Sequence, residues 1–161
     1  MWTIALLLAV NVPLWAQMAD WSAYGADKAN TKYSALAQID RANVARLHIA
    51  WRWKSADFRI EATHPNLRTW LFETTPVASN GILYTSTSMS QVAAIDGLTG
   101  KTLWVYDPKT YEKGVPPGLG FVHRGVALWP EGKQDRVLIA TGDARLIALD
   151  AVSGTGAFLW R

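Results

Sequence analysis

The chain contains no cysteine. That absence excludes a disulfide framework, a thiolate zinc site, a thiol nucleophile and a lipoprotein anchor in one step. Blocks of like charge are missing too. The 16 Lys and Arg and the 13 Asp and Glu are scattered singly, so nothing follows a phosphate backbone and nucleic acid is not an expected partner. His48, His64 and His123 lack the spacing of metal ligands, and Ser86, Ser88 and Ser90 form no nucleophile elbow. Charged residues make up 18% of the chain, below the roughly 25% of an average soluble domain. What is present is apolar: half of the 161 residues, spread along the chain rather than gathered in one run, which suits a sheet-rich domain with a packed core.

One apolar stretch stands apart. Thr3 to Ala16 is almost wholly apolar and turns polar at Gln17 and Asp20. It is short of the about 20 residues that a bilayer-spanning helix needs and has the length of a signal-peptide core, although Asn11 and Pro13 interrupt it and no positive n-region precedes it. Residues 1–19 are therefore expected to be a signal peptide or membrane segment. The remainder, 20–161, is expected to be exported to the periplasm, with membrane association through the first segment left open.

Beyond this leader, Leu36 to Leu47 predicts a short helical or irregular lead-in with Asp40 and Asn43 as caps. Leu47 to Trp53 alternates apolar and polar residues, the period of a strand with Trp51 and Trp53 on one face. Asp57 to Arg68 and Asp107 to Gly120 read as loops, the second through Pro116, Pro117 and Gly118. Asp143 falls in an exposed hairpin turn by pattern.

The strongest signal is a repeat. Gly81 to Gly100 aligns without a gap on Asp135 to Gly154, an offset of 54 residues (81 to 135) that places Thr87 on Thr141, Ala94 on Ala148, Asp96 on Asp150 and Gly100 on Gly154. Each copy is an apolar strand, a polar turn, a second apolar strand and an Asp-x-x-Thr/Ser-Gly corner. The aspartate can accept backbone N–H groups in such a corner and the glycine can take positive φ. A tryptophan follows each copy, Trp104 and Trp160, the second displaced by two residues in a simple alignment. Repeated meanders of this kind build propellers, with the indole as the plate that docks one blade on the next. The fold class predicted is all-β, a partial propeller of antiparallel four-stranded blades, with repeat units at about 72–106 and 122–161.

At this point the residues carry a family resemblance. Trp21-Ser-Ala-Tyr-Gly25, Tyr33-Ser-Ala-Leu36, Ala50-Trp51, Phe72-Glu-Thr-Thr-Pro-Val77, the Asp96 to Trp104 corner, His123-Arg-Gly-Val-Ala127 and Asp143 to Asp150 resemble, in order, the opening of the quinoprotein dehydrogenases that use pyrroloquinoline quinone (PQQ). The chain looks closer to the glucose than to the alcohol dehydrogenase branch, because Gly118 to Val122 stands where many alcohol-oxidising members carry a vicinal cysteine pair.

The resemblance implies an eight-bladed propeller with PQQ and calcium on its axis. Eight repeats of this period would need about 430 residues, so the chain is expected to be an N-terminal fragment, inactive and poorly soluble alone. Two cofactor-binding residues carry over, Glu73 and Arg124. PQQ presents three carboxylates and an o-quinone, so a guanidinium can pair with it in bidentate fashion and a carboxylate can accept from its ring N–H. The base, an aspartate that removes the hydroxyl proton, is implied to lie on later blades with the calcium ligands and a tryptophan beneath the quinone; no catalytic residue or metal ligand is expected in this chain. The partners implied are a small-molecule sugar or alcohol substrate and a quinone or cytochrome electron acceptor. Without the resemblance, Glu73 and Arg124 read as solvated charges at strand ends. Two further readings stay open: a non-catalytic PQQ-like propeller acting as an outer-membrane protein assembly scaffold, and a sugar-binding module.

Overall fold

The computed structural model describes residues 20–130 and 135–160; the expected leader at 1–19 lies outside them. Eight strands form two four-stranded antiparallel meanders, each in simple sequence order. The first sheet comprises β1 (Val77–Ser79), β2 (Ile82–Ser86), β3 (Val92–Asp96) and β4 (Thr102–Tyr106). The second comprises β5 (Ala127–Trp129), β6 (Arg136–Ala140), β7 (Leu146–Asp150) and β8 (Gly156–Trp160).

Local turn chemistry explains the strand order. Asn80 and Gly81, both at positive φ (50° and 77°), join β1 to β2 in the two-residue turn whose twist matches a hairpin. At the β3–β4 corner, Asp96 Oδ1 accepts from Leu98 N (3.1 Å), Thr99 N (2.7 Å) and Thr99 Oγ1 (2.7 Å). Asp150 does the same for Val152 N (3.2 Å), Ser153 N (2.7 Å) and Ser153 Oγ (2.8 Å). The bonds from Thr99 hold the Asp96 carboxyl below its usual range, and those from Ser153 do so for Asp150.

The sheets pack face to face. Val77, Tyr84, Val92 and Ala94 of the first bury against Val137, Ile139, Ile147, Leu149 and Ala151 of the second. Each of the larger side chains contributes about 1.5–3 kcal/mol on burial. Trp104 lies across the second corner: its Nε1–H donates to Ala151 O at 3.1 Å, and Tyr84 Oη donates to the same carbonyl at 3.3 Å. A Cβ on Gly154, at φ 72°, would stand 2.6 Å from the Trp104 ring, so glycine is required both for the backbone and for the indole. The docking role expected of Trp104 is what the structure shows.

Several expectations change. Leu47 to Trp53 is not a strand. Its alternation has another cause: Trp51 Nε1–H donates to Gly97 O (3.1 Å) and Trp53 Nε1–H to Thr102 Oγ1 (2.9 Å), so both indoles lie against the first sheet without joining it. Trp51 sits on Gly100 as Trp104 sits on Gly154, with a Gly100 Cβ again 2.6 Å from the ring. The first sheet is therefore capped as the second one is. Trp160 is not a shifted counterpart of Trp104. In the ladders Trp104 pairs with Ala94 and Phe158 with Ala148, whereas Tyr106 pairs with Val92 and Trp160 with Leu146. The offset of 54 thus runs unbroken, with a matching irregularity after Ala94 and Ala148.

The stretch read as a loop from Asp57 contains helix α1 (Asp57–Thr63), and the one from Asp107 contains a 3-10 turn (Thr110–Lys113). The lead-in is irregular apart from a 3-10 turn (Val44–Arg46), ahead of which Asp40 Oδ1 accepts from Ala42 N and Asn43 N.

Candidate cofactor site

The two ends of the sheets differ. One carries the Asp-Gly corners and the docked indoles. The other carries the β2–β3 and β6–β7 turns together with the segments before β1 and β5, and it is here that the sequence places Glu73 and Arg124. The segments meet directly: Thr75 N–H donates to Arg124 O at 3.3 Å, and Thr75 and Gly125 form a parallel bridge. Gly125 makes this approach possible. Its φ is 138°, and a Cβ there would lie 3.0 Å from Thr75 O.

This seam brings the two predicted residues together. Arg124 Nη2 lies 3.0 Å from Glu73 Oε2, with the arginine side chain 75% and the glutamate 39% exposed. An ion pair so exposed adds only about 0–1 kcal/mol to stability. Three quarters of the Arg124 side chain remains open to solvent.

His123, the residue before Arg124, is in the seam itself. Its ring contacts Ser86 Oγ (Nδ1, 2.8 Å), Ala140 O (Nε2, 2.8 Å) and Gly125 N (Nδ1, 3.3 Å). Thr74 Oγ1 reaches Ser86 Oγ at 3.0 Å, extending the network to the residue after Glu73.

Behind the seam, the equivalent threonines of the two turns each bind an aspartate, from different sources. Thr87 Oγ1 donates to Asp57 Oδ1 (2.6 Å), which comes from α1, and Met89 N–H donates to Asp57 Oδ2 (3.2 Å). Asp57 is only 2% exposed, and burial pushes its carboxyl above the usual range despite these bonds. Thr141 Oγ1 instead donates to Asp143 in its own turn. Asp143 is not the exposed turn residue expected: its side chain is 10% exposed, with Arg145 Nη2 at 2.8 Å and Lys113 Nζ at 3.2 Å. Burial raises its pKa, but the bonds from Arg145, Thr141 and Lys113 outweigh this and hold the carboxyl well below the usual range. Ile60, Met89 and Phe121, with Leu67 and Tyr111, form a small core under these loops.

A cleft of about 580 Å³ opens beside Phe72, lined by Trp53, Asp57, Phe58, Trp70 and Ser88. Neither Glu73 nor Arg124 lines it; Arg124 instead borders a second cleft of about 470 Å³, with Thr75, His123, Gly125 and Ala140. No group of three His, Asp or Glu side chains suited to a metal ion occurs among the described residues.

Two four-stranded meanders bridged just before their first strands, with docked indoles at one end and a Glu–Arg pair at the other, have the form of neighbouring blades of a β-propeller. Residues 21–158 match the family described as PQQ glucose/ethanol/alcohol dehydrogenase, beta-propeller domain, and the chain belongs to that family. It is 41% identical over 140 residues to the quinohemoprotein alcohol dehydrogenase of Comamonas testosteroni, covering 86% of this chain and 18% of that protein. The crystal structure of that enzyme matches with a TM-score of 0.68, 40% identity and coverage of 89% of this chain and 19% of the other. The structure of quinohemoprotein alcohol dehydrogenase ADHIIG from Pseudomonas putida HK5 matches at TM-score 0.72 and 30% identity, covering 91% of this chain and 19% of that one. Identity to the quinoprotein glucose dehydrogenase of Gluconobacter oxydans is 32%, covering 89% of this chain and 18% of that protein. Relatives thus come from both branches, and these identities do not favour the glucose branch suggested by the missing cysteine pair. The chain spans about a fifth of the length of the proteins it matches.

Proposed function

We propose that this chain forms part of the PQQ site of a dehydrogenase that oxidises a sugar or alcohol hydroxyl and passes the electrons to a quinone or cytochrome acceptor. The observation that carries this reading is the Glu73–Arg124 pair, 3.0 Å apart at the inner seam of a quinoprotein propeller. PQQ, when bound, supplies an o-quinone that accepts the electrons of the hydroxyl carbon. The chain's own groups bind and orient. Arg124 offers N–H donors to an anionic oxygen, and Glu73 offers an acceptor while keeping the guanidinium turned toward the seam. The donor set fits PQQ, which is both anionic and an N–H donor. Calcium ligands and the aspartate base belong to blades outside this chain. The apolar stretch before Gln17 supports export to the periplasm.

The test is a spectroscopic titration of the full-length apoprotein with PQQ in the presence of calcium. Arg124→Ala is expected to weaken PQQ binding at least about tenfold, and Glu73→Gln by a smaller factor. Unchanged affinity in both variants would refute the assignment.

A further inference from the structure

We propose that His123 is the positioning residue of this site: as a neutral imidazole protonated on Nε2, it pins the Arg124-Gly125 backbone to the seam between the sheets and thereby sets the affinity for the cofactor. The proposal rests on the reading of Arg124 as a cofactor contact.

The tautomer follows from partners that have only one role. Ala140 O, 2.8 Å from Nε2, can only accept, so Nε2 carries the proton. Gly125 N–H can only donate, so Nδ1, at 3.3 Å, is the acceptor. Ser86 Oγ, 2.8 Å from the same Nδ1, must then give its proton to the ring. Its lone pairs are left to receive the Thr74 hydroxyl at 3.0 Å. The result is a directed chain of bonds, Thr74 to Ser86 to His123 to Ala140. It starts beside Glu73, passes through the end of β2, and ends on β6 with the residue before Arg124 in its middle.

Two features make this chain matter for Arg124. Ser86 is fully buried, so its bond to the ring has little competition from water. Arg124, by contrast, is mostly exposed, and its ion pair with Glu73 is an exposed one. A long side chain in that state is positioned by its backbone, and its peptide is held by the Thr75 N–H bond and by the imidazole on Gly125. Removing the imidazole would leave the first of these to carry the register of both cofactor groups.

The experiment is a double-mutant cycle on the full-length apoprotein, read as the PQQ dissociation constant by spectroscopic titration, with wild type, His123→Ala, His123→Asn, Arg124→Ala and the double variant His123→Ala/Arg124→Ala. His123→Ala is expected to weaken binding about tenfold. His123→Asn, whose amide oxygen can take the place of Nδ1, should recover most of that loss. The double variant should bind no more than about twofold worse than Arg124→Ala, because His123 acts through the arginine. Additive losses, or an unaltered constant in His123→Ala, would overturn the proposal. An unaltered constant in Arg124→Ala would instead overturn the cofactor reading and the proposal with it. Should His123→Ala fail to fold, the histidine tautomer of the wild type, read from ring carbon and nitrogen chemical shifts, decides: Nε2–H is required, and Nδ1–H rules the proposal out.

Discussion

The corner end and the loop end of the same two sheets obey different rules. At the corners the copies agree residue by residue: Asp96 and Asp150 make the same bonds, Gly97 and Ala151 N–H reach Gly81 and Asp135 O, and Trp51 and Trp104 cover Gly100 and Gly154. At the loop end only the backbone repeats. Thr87 and Thr141 close identical turns with Gln91 and Arg145, and Ser90 and Ala144 share φ 65°, yet one threonine binds an aspartate from a helix and the other an aspartate from its own turn. Repetition builds the frame; departure from repetition gives the two turns of the loop end different side-chain partners.

The largest expected effect lies at the corners. Gly154→Val should destabilise the full-length protein by at least about 3 kcal/mol, since it combines a disfavoured backbone with displacement of Trp104. Gly142→Ala, at a loop-end position with nothing within 4 Å of its missing Cβ, should change the unfolding free energy by no more than about 0.5 kcal/mol. Equal losses would erase the contrast between the ends.

Next comes Asp57. Asp57→Ala strips the partners from the Thr87 hydroxyl and the Met89 N–H and should cost about 2 kcal/mol, whereas Asp57→Asn, which keeps an acceptor, should cost less than about 1 kcal/mol. The two aspartates should also titrate in opposite senses. Asp57 has a folded-state pKa above the usual 3.8, so its ionisation opposes folding and stability falls as pH rises from 3.8 through the folded value. Asp143 has a folded-state pKa below 3.8, so its contribution is present above that pH and is lost as pH falls through the folded value. Denaturation midpoints measured from mildly acidic to strongly acidic pH should flatten on the upper side in Asp57→Asn and on the lower side in Asp143→Asn. The same slope in both variants would show that the two threonines have equivalent partners after all.

The smallest effect is at the candidate site. Glu73→Gln should alter stability by no more than about 0.5 kcal/mol, although it is expected to weaken PQQ binding. A larger loss in a melting experiment would make the exposed pair a part of the frame.

Much of the frame was readable because it is local. The Asp96 and Asp150 corners and the glycines that end them follow from turn chemistry, and the constant period marks the tryptophan after the first corner, although the Ala151 carbonyl it meets lies 47 residues on. Other parts misled for equally physical reasons. The alternation from Leu47 to Trp53 mimics a strand, since two indoles spaced by one residue must face one way whether they join a ladder or lie against its side. Helix α1 was missed because its Ala56 cap makes no side-chain bond and seven residues are too few to show a period. Asn80-Gly81 is a hairpin signal in the sequence itself, and the structure closes β1 and β2 with it. Asp143 looked exposed because nothing within its turn reveals that Lys113 arrives from the 3-10 turn.

By itself, the sequence determined the repeating meander, the corners and the family to which the chain belongs, all of which rest on interactions between residues a few positions apart. The tertiary structure alone decided which aspartate meets which threonine, that Trp51 serves as a docking plate, and that Glu73 and Arg124 meet across a seam that also holds the His123 ring. Those contacts join segments tens of residues apart, and their partners are chosen by how whole sheets and loops pack, which no local pattern encodes.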